Sequence, residues 1–132
     1  MKYLLMMNHR PEEGTEPEQP WTPEERQASW KHMQQIWQEL SEAGELIDTG
    51  KLASPESAKI VISDGVDAPV VTDGPFPEMK EFLAGYWMID VDSEERAIEI
   101  AARTSAAPGP GGRPTRYPIE VRAIMSPPDP DL

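Results

Sequence analysis

With 132 residues the chain has room for one hydrophobic core and not for two independent ones. Its 38% hydrophobic content, with four Trp, three Tyr and two Phe, is too apolar for a disordered chain. The absence of cysteine excludes disulfide staples, thiolate nucleophiles and cysteine-based metal sites, and a formal charge of −12 repels both phosphate backbones and anionic lipid.

No stretch approaches the roughly 20 apolar residues that span a bilayer, and Met1 to Met7 is followed too soon by His9, Arg10 and acids to read as a signal peptide. A cytoplasmic domain without direct nucleic-acid or membrane partners is expected. Lys2 to Asn8 is apolar on both alternating faces and predicts a central strand, and His9 to Pro20 predicts an exposed Pro-rich loop. Thr22-Pro23-Glu24-Glu25 combines an N-cap, a first-turn proline and a glutamate closing a capping box, so a helix starts at Pro23. Arg26, Ser29, Met33, Trp37 and Leu40 form its stripe, with Trp30 and Ile36 at the edges, and Gly44 ends it.

Leu46 to Leu52 predicts a second strand that bends or bulges at Gly50. Two β-rich runs flank Asp64-Gly65 and predict a hairpin turning there, with Pro69 confining the second strand to an edge. Asp73-Gly74-Pro75-Phe76-Pro77 predicts a rigid turn. Ala84 to Val91 predicts a strand that points Tyr86 and Met88 opposite to Trp87, Ile89 and Val91. Asp92 and Glu95 suggest a capping box for a second helix with Ala97, Ile98, Ala101 and Ala102 inside. After a Pro/Gly loop, the alternation of Tyr117, Ile119, Val121, Ala123 and Met125 against Glu120 and Arg122 predicts a closing strand, followed by a Pro-rich tail over residues 126–132.

The expected architecture is α+β: a ferredoxin-like βαββαβ domain over residues 1–125, with an antiparallel sheet and two helices on one face. Its other sheet face would be bare and apolar, which points to a homodimer closed through that face.

Met1-Lys2-Tyr3-Leu4-Leu5, Ala43-Gly44 before Leu46 to Leu52, and above all Val71 to Glu81 ahead of Gly85 to Val91 resemble the YCII-related proteins of the DGPF type. The resemblance implies a dimeric α/β-barrel of ferredoxin-like protomers. It also implies an Asp and a His facing a cleft as an acid/base pair, the aspartate matching Asp73. Chlorinated-aromatic breakdown is associated with the wider group, and DGPF-type proteins are often encoded beside or fused to extracytoplasmic-function sigma factors.

Asp73 has two readings: a general base on a rigid turn, or a turn residue whose carboxylate caps a backbone N–H. His32, at the edge of its helix stripe, is either a solvated boundary residue or the partner of Asp73, and His9 is the other candidate. Gly74, Pro75, Phe76, Glu78 and Tyr86 are the candidate lining of a ligand pocket. Glu78 could equally cap a short helix, and Tyr86 could equally serve core or dimer packing. Two histidines without cysteine cannot form a three-histidine metal site, and neither HExxH nor DxDxDG occurs, so no metal and no cofactor is expected. The function is then either a cofactor-free lyase, isomerase or dehalogenase moving a proton on a small cyclic or aromatic substrate, or a non-catalytic ligand-binding or interaction module accessory to sigma-factor regulation.

Overall fold

A computed structural model of the protein describes residues 1–9, 21–74 and 81–125, the side chain of His9 excepted. Among the described residues six strands and two α-helices occur in the order β1 (Lys2–His9), α1 (Pro23–Glu42), β2 (Leu46–Lys51), β3 (Lys59–Ile62), β4 (Val70–Asp73), β5 (Phe82–Asp90), α2 (Glu94–Ser105) and β6 (Ile119–Ala123). Strands β2, β5, β1 and β6 lie in that order in one antiparallel sheet, while β3 and β4 form a separate two-stranded sheet. The larger sheet and the two helices are the ferredoxin-like fold, with the β3–β4 hairpin inserted between its second and third strands.

Local chemistry explains α1. Thr22 Oγ1 accepts from the Glu25 N–H at 3.1 Å, and Glu25 returns the bond to the Thr22 N–H at 2.8 Å, completing the capping box. Gly44 takes φ +71°, letting its own N–H reach the Ser41 carbonyl and the Glu45 N–H reach Leu40, so the last turn leaves fewer orphan carbonyls. The buried centre of the stripe is Ile36 and Leu40, whereas Arg26, expected inside, is exposed.

The α2 cap differs from expectation by one residue. Ser93, not Asp92, is the N-cap and accepts from the Arg96 N–H. The inner face is accordingly Ala97, Ile100, Ala101 and Thr104, and Ile98 is 54% exposed, because the face is set by packing on the sheet rather than by the cap. Tyr3, Leu5, Trp87, Ile89 and Val91 meet both helices in one core, in which Leu5, Ile36, Leu40, Ile89 and Ile100 are fully buried. Each such side chain contributes about 1.5–3 kcal/mol through removal of apolar area from water.

Alternation sends Leu4, Met6, Tyr86 and Met88 to the opposite face, where no described helix lies. Leu4 pairs with Met88 and Met6 with Tyr86 across β1 and β5. The bulge expected at Gly50 falls at Ile47 instead, between the pairs Leu46/Ile89 and Asp48/Met88. Gly50 has a different use: a Cβ there would stand 2.8 Å from Tyr86 Cε1, so the tyrosine ring packs against the bare Cα of the glycine.

The hairpin forms, but not as a two-residue Asp-Gly turn. Ile62 pairs with Val70, leaving residues 63–69 as the connection, in which Asp64 accepts from the Val66 and Asp67 N–H groups. Those two bonds hold the Asp64 carboxyl below its ordinary value. No described helix is long and apolar enough to cross a membrane.

Candidate functional site

The motif residue Asp73 ends β4, directly across from Lys59 in the hairpin register, and its carboxylate accepts from Lys59 Nζ. Both side chains are largely exposed, 83% for Asp73, so this pair contributes little to stability. Gly74 follows at φ +84° and donates its N–H to the Ala58 carbonyl at 2.8 Å, which pins the start of the turn against the segment leading into β3. Pro75, Phe76 and Glu78 lie outside the described residues.

His32 is half-buried on α1, and its Nε2 lies 2.8 Å from the Arg103 carbonyl in the last turn of α2. A carbonyl only accepts, so Nε2 carries the hydrogen. Asp73 and His32 therefore share no hydrogen bond: one is bonded within the hairpin, the other joins the two helices. The backbone of His9 closes β1 opposite Phe82.

Tyr86 stands on the sheet face opposite the helices and donates to Asp48 Oδ2 at 3.0 Å. That hydrogen bond, reinforced by the negative charge of Asp48, holds the phenol above its ordinary value. Among the described residues no group of three or more His, Asp or Glu side chains could hold a metal ion.

At the end of the sheet where β1 and β2 finish and β5 begins there is an open groove of about 510 Å³, lined by Lys51, Leu52, Ala53, Ser54, Pro55, Leu83 and Ala84. A β-bulge shapes it. Met7 pairs with Gly85 and Asn8 with Leu83, so Ala84 is the extra residue, and its carbonyl accepts from the Leu52 N–H at 2.8 Å. Gly85 permits the close approach of β2, since a Cβ there would stand 3.2 Å from the Gly50 carbonyl. Along the chain the groove adjoins residues bonded to Gly74 and paired with His9. Ala58, which holds Gly74, lies three residues beyond the groove-lining Pro55, and Phe82, which pairs with His9, precedes the groove-lining Leu83.

None of the groove residues was a candidate from the sequence. Their signal was weak: a bulge next to Gly85 and the Ser54-Pro55 break after a strand are common architectural features.

Residues 1–119 match the YCII-related domain. The chain is also 31% identical over 104 residues to an uncharacterized protein of Rhizobium meliloti (strain 1021), a match that covers 79% of each. With the ferredoxin-like sheet order in place and the match running from β1 into β6, the chain belongs to the YCII-related family.

Proposed function

We propose that this YCII-related domain, of the DGPF type by its Asp73-Gly74-Pro75-Phe76 run, binds a small molecule at the sheet end where β2 finishes and β5 begins, and that it works as a homodimer. The observation that carries the reading is the 510 Å³ groove formed where β2 ends and β5 begins, a volume in the range of small-ligand sites. The engagement of Asp73 by Lys59 and of His32 by Arg103 favours binding over acid/base catalysis through that pair. The face bearing the half-exposed Leu4, Tyr86 and Met88, on which no described helix packs, supports a second copy packed against it.

Chemistry on the bound molecule, as a second reading, would draw on His9, because β1 delivers it opposite Phe82, next to Leu83 of the groove. In that case His9→Ala abolishes turnover while binding persists.

The binding reading is tested by titrating the ¹⁵N-labelled chain with benzyl alcohol, benzylamine and benzoate. Amide shifts clustered at Leu52, Ala53, Ser54, Leu83 and Ala84 are expected. Shifts scattered over the surface, or none with any of the three, overturn it.

A further inference from the structure

We infer that the ligand of the groove is a small organic carboxylate, seated with its apolar body on Leu52, Pro55, Leu83 and Ala84 and its anionic end toward Lys51. This inference rests on the binding reading above and adds the chemical class.

Charge is the first argument. The chain carries 24 acidic against 12 basic Lys and Arg side chains, yet of the seven residues lining the groove none is acidic and one, Lys51, is a cation. Among the described residues the exposed side chain of Lys51 has neither an ion-pair nor a hydrogen-bond partner, and it is the cation that stands at the groove. The other side-chain polar group of the lining is already used: Ser54 Oγ donates to Glu56 Oε2 at 2.6 Å. The groove therefore offers one unanswered charge, a positive one, in a protein that otherwise repels anions, and selection for an anion must come from that group.

The lining supplies the rest. Five of the seven residues are Leu, Ala or Pro, and Leu52 and Leu83 remain 43% and 36% exposed, apolar area that a ligand body would remove from water. A multiply charged anion such as a phosphate would gain from Lys51 alone and leave that surface wet. A neutral hydrocarbon would use the surface and leave Lys51 unanswered. A monocarboxylate carried on a ring or short chain uses both, and the volume of about 510 Å³ admits one.

The three probes separate the class from the site. Benzoate is expected to bind the groove about tenfold tighter than benzyl alcohol, and benzylamine no better than the alcohol, with the benzoate advantage shrinking as salt is raised. In Lys51→Met, benzoate and benzyl alcohol should bind equally, with the alcohol still shifting the same amides, which shows that the groove itself is intact. Equal binding of benzoate and benzyl alcohol in the native chain, or a benzoate preference that survives in Lys51→Met, overturns the carboxylate assignment and leaves the groove as a site for another class. Failure of all three probes to move any groove amide overturns the assignment together with the binding reading beneath it.

Discussion

The imidazole of His32 on α1 holds the carbonyl of Arg103 on α2 at 2.8 Å. The helix itself leaves that carbonyl unserved: the Ala106 N–H turns to Ala102 and the Ala107 N–H to Thr104. A side chain 71 residues earlier supplies the missing donor, so the bond caps one helix with another. Removing it leaves a part-buried acceptor unpaired. His32→Ala should therefore lower stability by about 1 kcal/mol, and His32→Gln, which keeps an N–H donor, should recover part of that loss. Urea midpoints check both, and an unchanged midpoint in His32→Ala would remove the capping role.

The sheet face on which no described helix packs predicts association. Sedimentation of the native chain at micromolar concentration should give about twice the 14.7 kDa of one copy, and Met88→Lys, which puts a charge in the middle of the face, should return it to one. A single-chain mass for the native protein rejects the dimer.

Gly50 and Tyr86 predict a steric effect. In Gly50→Ala the new methyl group meets the tyrosine ring, which must swing aside and lose its bond to Asp48. A loss of about 1–2 kcal/mol is expected. Separately, Asp48→Asn removes the charge that opposes phenolate formation, so the Tyr86 titration should move down toward the ordinary tyrosine value. Ring signals of Tyr86 followed through alkaline pH read this, and an unmoved midpoint would count against the pairing.

Glu45 accepts from Arg96 through both carboxylate oxygens at 2.9 Å, tying the chain just before β2 to α2. The hydrogen bonds from Arg96 hold the Glu45 carboxyl below its ordinary 4.5. A carboxyl lowered on folding adds stability that is complete above its unfolded value and is lost as pH falls through the folded one. Stability should thus decline from about pH 5 downward, and Glu45→Gln should flatten part of that slope while costing roughly 1 kcal/mol at pH 7. Thermal melts of both proteins between pH 3 and 7 make the comparison, with parallel slopes as the contrary result.

Gly74 sits at φ +84°, and no described neighbour comes within 4 Å of where a Cβ would stand. The cost of Gly74→Ala is then conformational alone, about 1 kcal/mol. An unchanged denaturation midpoint would show that the start of the motif turn tolerates an ordinary residue.

What the sequence determined by itself is what neighbours along the chain decide. Thr22 and Glu25 are three residues apart and close a capping box in any helix that starts there, Gly44 ends that helix through its own φ, and alternation alone separates Tyr86 and Met88 from Trp87 and Ile89. The family was legible for the same reason, since its motif is one contiguous run. Tertiary structure alone decided the partnerships. Lys59 meets Asp73 because the hairpin closes over seven connecting residues rather than two, which sets the register. His32 meets Arg103 because two helices pack on one sheet face. The α2 face turned from Ile98 to Ile100 because packing, not the local cap pattern, chose it. The groove joins residues 51–55 to Leu83 and Ala84, and it exists because a bulge at Ala84 and the bare Cα of Gly85 let two distant segments meet. Such contacts depend on register and packing over the whole sheet, which no local pattern of residues carries.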